Sequence, residues 1–234
     1  MINELLLVAS LIFIFGSVVI SYCLFGKAGL FGMTVISTVL ANIEVLVLIN
    51  AFGMEQTLGN VFFAATFLIT DILSENESKK EADRAVMIGI FTAVFTLIAT
   101  GFWFWFQPSE NDYISPALRT VFSNTPRMML SSLAVYALTQ RFDVWLYHKW
   151  WDFTTKKCGD SHKFLWVRNN CATLASQLLN TVLFNVLAFA GKYDVKTLVS
   201  IIISSYVIFI FTSLLDTPAV YIARKLKEKG HVAT

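Results

Sequence analysis

Charge is scarce in this chain. Acidic and basic residues make up only 15% of its 234 residues, where a soluble domain would carry about a quarter. Three stretches, Leu5 to Gly26, Ala85 to Ser109 and Asn169 to Gly191, hold no charged residue at all. Each is long enough to cross the ~30 Å hydrocarbon layer as a helix. With 56% hydrophobic residues and a mean hydropathy of +0.64, the chain reads as an all-α, polytopic helical membrane protein. The net charge of +2 is spread over short loops and gives no sign of a nucleic-acid partner. There is no Cys-x-x-Cys pair: Cys23, Cys158 and Cys171 are scattered. Cys158 lies between His148 and His162, but zinc sites have tighter pairs, so no metal is expected. A nucleotide-binding glycine loop is missing, which argues against ATP hydrolysis by this chain. No nucleophile-and-base spacing stands out, so no catalytic residue, enzyme activity or cofactor is expected.

Seven apolar segments remain, at about 5–26, 29–52, 57–73, 86–107, 127–149, 169–190 and 197–222. The first has no Lys or Arg before it and exceeds a signal core, so it is read as a permanent span. The third is the shortest and leaves open a re-entrant hairpin. Pro108 closes the fourth segment, Pro126 suits the first turn of the fifth, and Pro218 is expected to kink the last. Basic residues fix the orientation. Thirteen of the eighteen Lys and Arg fall on one set of loops, including Lys27, Lys79, Lys80, Arg84, Lys163, Arg168 and Arg224. Four, Arg119, Arg127, Lys192 and Lys196, fall on the other. This bias puts the amino terminus outside and the carboxyl terminus in the cytoplasm. Trp103, Trp105, Trp145, Trp150, Trp151 and Trp166 lie near segment ends and read mainly as interfacial anchors.

An ionised group in the bilayer core costs ~2.5–3.5 kcal/mol on insertion scales, so polar residues within the spans need a purpose. The second segment holds Asn42 and Glu44, and a helix running to Gly53 would put Glu44 near mid-depth. In the fifth, Ser132, Tyr136, Gln140 and Asp143 share one helix face below Arg127. In the sixth, Asn170, Thr173, Gln177 and Asn180 do the same, beside Thr181 and Asn185. Amides and hydroxyls also glue helices together, but two facing stripes suit a solute site better. The third segment ends ATFLITDILSE, with Asp71 still inside the apolar run and Glu75 one turn beyond. Asp71 is expected to pair with a basic group and gate the cytoplasmic end. These groups suit a flat, neutral or cationic, hydrogen-bonding solute better than an inorganic ion.

Three stretches carry a resemblance. They are GNVFFAATFLITDILSENESKKEA (59–82), R-x3-SSLAVYALTQRFDVWLY (127–147) and LWVRNNCATLASQLLNTVLF (165–184). In this order they resemble the queuosine precursor transporters, a family also grouped under vitamin uptake. The resemblance runs from residue 30 to about 222. It implies import of a 7-deazaguanine base (preQ0, preQ1 or queuine) for salvage into queuosine-modified tRNA. It also implies a six-helix core, 27–223, resembling the substrate-binding subunits of energy-coupling-factor transporters. An extra span, 1–26, would precede that core, and a basic tail, 224–234, would follow it. The matching positions are Asn42, Thr70, Asp71, Glu75, Arg127, Gln140, Asp143, Arg168, Gln177 and Thr181. Two positions depart from the pattern: Asn180 stands where the family has Asp, and Ser78 where it has Gly. An amide holds a cationic aminomethyl group less well than a carboxylate does, which disfavours preQ1.

The expected substrate-binding set is therefore Asn42, Glu44, Arg127, Tyr136, Gln140, Gln177, Asn180 and Thr181. Glu44 would read the donor edge of the base, the sixth segment its O6, and Tyr136 would cover the ring. Thr70, Asp71, Glu75, Asp143 and Arg168 are the expected gating and coupling set. The expected partners are the base and the lipid bilayer of a bacterial inner membrane, with homo-oligomerisation left open. The leading reading is a stand-alone importer with alternating access. The rivals are a binding subunit driven by a separate module, an importer of another base or vitamin, and a membrane enzyme or structural subunit.

Overall fold

A helix of 43 residues, α1 (Ile2–Glu44), opens the chain. Straight, it would be about 64 Å long, twice the hydrocarbon layer. Gly26 breaks it, at φ 57° and ψ −146°, a region that only glycine enters without strain. The two arms fold back on each other. Asn3 Nδ2 donates to the Asn50 carbonyl at 2.9 Å, and Glu4 accepts from the Phe52 amide at 3.3 Å, so the start and end of α1 lie together. In this computed structural model the described residues are all but 1, 46, 123–125, 161, 162, 190, 192 and 234, and the side chains of 54–56, 120, 121 and 126–129 are likewise outside the description.

Beyond α1 come two strands, β1 (Leu48–Ala51) and β2 (Met54–Thr57), paired antiparallel with Leu48 opposite Thr57. The helices α2 (Asn60–Asn76), α3 (Lys79–Trp103), α4 (Ser115–Phe122), α5 (Pro126–Cys158), α6 (Leu165–Phe189) and α7 (Val195–Glu228) follow. The strands correct one expectation. The second apolar segment does not stay helical to residue 52; it turns into the β-hairpin, whose turn holds Phe52 and Gly53 at positive φ. Glu44 therefore ends a helix rather than sitting at mid-depth. A second difference is α5, which runs nine residues past the expected end and carries Trp150 and Trp151 within it. Pro218 is tolerated inside α7, which remains helical across it.

Four helices, α1, α3, α6 and α7, are long and apolar enough to cross a membrane by length and composition among the described residues. The short α2 is enclosed instead. Every residue from Ala64 to Ser74 is buried, as expected of a helix at the centre of a bundle, and its few polar side chains are buried with the rest. Leu7, Leu11, Ile14, Phe15 and Val18 of α1 join Leu68, Ile69 and Ile72 of α2 and Val220 and Ala223 of α7 in one core. The outward faces stay apolar: Ile12, Phe13, Phe91, Phe95, Phe211 and Leu214 are exposed, a belt that only lipid would cover comfortably.

Short turns alternate the direction of successive rods. The chain start, the β-hairpin and the α3–α4 connection gather at one end. The Gly26 elbow, the α2–α3 turn and the tail gather at the other. Ser78 makes that turn by capping α3, its hydroxyl accepting from the Glu81 amide. The departure from glycine at this position is thus a helix cap. At the tail, the Ala233 amide donates to the Cys23 carbonyl at 3.0 Å, and Lys227 pairs with Glu77 at 2.8 Å. Two carboxylates outside the rods also cap helices. Asp112 is hydrogen-bonded by Ser115, and Asp194 by Thr197, and these bonds hold both carboxyls below the usual range.

Candidate functional site

A cavity of about 660 Å³, its open mouth included, lies at the β-hairpin end between α1, α2, α3, α5 and α6. Its polar lining is Thr38 and Asn42 of α1, Thr57 of the hairpin, Asn60 and Thr66 of α2, Ser132 and Tyr136 of α5, and Asn180 of α6. Phe63 and Phe184 add aromatic surface, and among the described residues no ionisable carboxylate or basic group lines it. Phe63 is the hub, in contact with Tyr136 at 6.1 Å, Phe67 at 5.4 Å and Phe209 at 6.3 Å between ring centroids. Tyr136 lies against Gly89 of α3, where a side chain as small as a methyl would collide with the phenol. Asn60 Nδ2 is buried with no hydrogen-bond partner among the described residues. The hairpin covers this end. Its Thr57 hydroxyl donates to the Val45 carbonyl at 2.8 Å, tying the strand back to α1.

Below the cavity, polar groups cross from α2 to α5. Gln140 Nε2 donates to Thr66 Oγ1 at 2.6 Å, and the Thr70 hydroxyl lies 3.4 Å from Gln140 Oε1. Five residues past Thr66, about 7.5 Å along the helix, Asp71 is fully buried. It accepts from the Thr173 hydroxyl at 3.1 Å. Asp143 of α5 accepts from Ser176 at 2.5 Å, and Asp216 of α7 from Asn169 Nδ2 at 2.8 Å. Three helices thus bring three buried carboxylates to one level, each met by a hydroxyl or amide of α6.

One turn on, Glu75 forms the deepest ion pair. Arg168 of α6 grips it with two bonds, Nε to Oε2 at 2.8 Å and Nη2 to Oε1 at 2.5 Å. Both side chains are shut from solvent, at 0% and 2% exposed. The Tyr147 hydroxyl donates to Glu75 at 2.7 Å, and Arg224 of α7 approaches at 3.4 Å. Trp151 stacks on the guanidinium at 4.3 Å, and His148 stacks on Trp151. Thus one of the tryptophans expected to anchor at the interface holds an arginine instead. The network welds α2, α5, α6 and α7 together at the elbow end.

The expected residues are therefore divided. Asn42, Tyr136 and Asn180 line the cavity. Gln140 and Thr70 bridge helices beneath it, and Gln177 is buried in α6 outside the lining. Thr181 turns its hydroxyl to the Gln177 carbonyl of its own helix at 2.8 Å. Glu44 is off the lining, because α1 ends there and its carbonyl takes up the Val47 and Gly59 amides. The Arg127 side chain, His162 and Lys192 lie outside the described residues. The basic partner expected for Asp71 belongs to Glu75: Arg168 is one turn too far along and bonds the glutamate. Among the described residues, no group of three or more His, Cys, Asp or Glu is arranged to hold a metal ion. Asp216, Asn169, Tyr147 and Phe63 escaped the sequence reading. For Asp216 a signal existed, a lone carboxylate inside the last apolar run; for Phe63, one phenylalanine among 21, none did.

The comparisons with known proteins agree with this picture of a multi-pass membrane bundle. The chain is 36% identical over 210 residues, 89% of its own length and 89% of the other's, to a "Probable queuosine precursor transporter" of Bacillus subtilis (strain 168). No solved structure matches it. Residues 57–223, from the end of the hairpin almost through α7, match the family model described as "Putative vitamin uptake transporter". The chain belongs to that family of multi-pass membrane transporters and is not an enzyme.

Proposed function

We propose that this protein imports a queuosine precursor, a 7-deazaguanine base, across a bacterial plasma membrane for salvage into tRNA. The observation that carries the reading is the cavity: aromatic walls, amides and hydroxyls, and no ionised side chain among its described lining residues. A 7-deazaguanine is flat, with donors at N1 and the 2-amino group and an acceptor at O6. Asn42, Asn60 and Asn180 each offer both a donor and an acceptor. Asn60 Nδ2, lacking a partner, suits O6 or a nitrile. Tyr136 and Phe63 form a hydrophobic wall for the ring. A buried site built to hydrogen-bond a ligand strongly rejects analogues that leave its groups unpaired. With no carboxylate among the described lining residues, the neutral nitrile of preQ0 fits better than the cationic aminomethyl group of preQ1. The relative's description as a transporter of queuosine precursors supports the same choice.

In this reading the hairpin end, with the chain start, faces outward and the elbow end faces the cytoplasm, as the basic residues around Lys27, Lys79 and Arg224 favour. The bundle would comprise a six-helix core, similar to energy-coupling-factor binding subunits, and one extra amino-terminal span. Transport alternates access to the cavity by opening the hairpin end and the Glu75–Arg168 lock in turn. The test is thermal stabilisation of the detergent-solubilised protein by preQ0, preQ1, queuine and guanine, followed by uptake into liposomes of pure protein. A ligand at 100 times its dissociation constant adds ~2.7 kcal/mol of stability. A shift with preQ0 exceeding that with preQ1 and guanine is expected. Equal silence with all four would overturn the substrate assignment, and binding without uptake by the pure protein would point to a separate energising module.

A further inference from the structure

Asp71 and Asp143 are each satisfied at one oxygen only. Thr173 donates to Asp71 Oδ2 and Ser176 to Asp143 Oδ1. Asp71 Oδ1 and Asp143 Oδ2 are fully buried and have no donor among the described residues. Their donors, Thr173 and Ser176, are three residues apart on one face of α6, so the two carboxyls are held next to each other. Two neighbouring carboxyls buried without a cation cannot readily both ionise, so the pair is built to hold a proton. Asp216, from the third side, adds another buried carboxylate, and its partner Asn169 leaves Oδ1 unpartnered. The nearby charges do not neutralise this group. Glu75, one turn further on α2, is engaged by Arg168 of α6 and Arg224 of α7, and Tyr147 of α5 donates to it too. The charged groups of α1 and α3 (Glu4, Lys27 and Glu44; Lys79, Lys80, Glu81, Asp83 and Arg84) sit at the two ends of the bundle.

We propose that the Asp71–Asp143 pair, with Asp216 beside it, is a proton-binding site that couples import to proton entry. This rests on the importer reading above and deepens it. The site occupies the layer between the cavity and the Glu75–Arg168 lock, where a coupling ion must act on both. Binding one more proton removes a negative charge from a layer that has no spare cation among the described residues, and the helices carrying it can then part without exposing an ion to a low-dielectric interior. The proton enters with the solute from the hairpin end and leaves at the elbow end, so one base and one proton cross together.

The experiment has two arms. In the first, labelled preQ0 is offered to proteoliposomes with the outside one pH unit more acid than the inside. Wild-type protein should accumulate it about tenfold, the limit for one proton per solute. Asp143→Asn and Asp216→Asn, checked for folding by the preQ0 thermal shift, should still exchange labelled for unlabelled preQ0 at equal pH, yet fail to accumulate it. Accumulation by either variant, or wild-type uptake indifferent to the gradient while exchange proceeds, overturns the proposal. The second arm needs no solute and separates this inference from the choice of substrate. Infrared difference spectra of ligand-free protein across a pH titration should show the carbonyl band of a buried protonated carboxyl, absent in Asp143→Asn. No such band in the wild type also overturns it. If preQ0 neither shifts nor exchanges, the substrate reading fails and the infrared result alone decides the proton site.

Discussion

Asn60 and Glu44 show how little sequence distance says about a residue's work. They lie sixteen positions apart on either side of the hairpin, but only Asn60 faces the cavity. Removing the donor with Asn60→Ala should weaken preQ0 binding about tenfold, the value of roughly one good hydrogen bond. Glu44→Gln should leave it within about twofold; calorimetric titration of both variants checks the contrast. Gly89→Ala makes a different case. Alanine is the better helix former, yet its methyl would drive the Tyr136 phenol from its place toward the cavity. Helix content should be unchanged by circular dichroism while ligand affinity falls. The Glu75–Arg168 pair is the third. Both groups are desolvated, so Arg168→Ala leaves a buried carboxylate with only Tyr147 and the more distant Arg224, and should cost about 3–5 kcal/mol in unfolding. Arg168→Lys should not restore it fully, because a lysine cannot make the two-pronged grip or the stack on Trp151.

At the scale of elements, α1 carries the sharpest constraint. Its two arms are a hairpin only because Gly26 turns the chain through a conformation closed to other residues, with the Ala233 carbonyl packed where a side chain would go. Gly26→Ala should destabilise the protein by about 1–3 kcal/mol and loosen the tail, read as a lower melting temperature and faster proteolysis beyond Lys229. The sequence marked both arms as apolar segments but could not place the end of the second, since VLVLINAF reads equally well as a helix or a strand. What decides is the close return of Thr57 and Gly59 to the end of α1, a tertiary contact. The polar stripes of α5 and α6 were legible because helical spacing alone puts Tyr136, Gln140 and Asp143 on one side, and Thr173, Gln177 and Asn180 on another. Which of these would line a cavity and which would bind helix to helix was not, because that depends on the facing rods.

Over the whole molecule, the described polar groups are sorted into layers: a cavity of amides and hydroxyls, a bridge of amide and hydroxyls, three carboxylates, and a locked ion pair. The order follows α2, which is buried on all sides and presents Asn60, Thr66, Asp71 and Glu75 to successive neighbours. The orientation is testable on intact cells. Cys158 is exposed at the elbow end, so a membrane-impermeant maleimide should label it only from the cytoplasmic side. A cysteine at Glu110, in the exposed connection before α4, should react from outside. The opposite pattern would reverse the direction of the proposed transport cycle.

The sequence by itself determined the solvent and the class. Charge-free runs of this length cannot fold in water without a membrane or a large core, so composition alone called for a helical bundle in lipid, and the motif order called for a transporter. Tertiary structure decided the rest. A carboxylate in an apolar run declares that it needs a partner, but not which one. Only the packing of α2 against α5, α6 and α7 gave Arg168 to Glu75 and brought Asp71, Asp143 and Asp216 onto the polar donors of α6. The reason is range: hydropathy and helical period act within a segment, whereas hydrogen bonds and ion pairs in a bundle join residues a hundred positions apart.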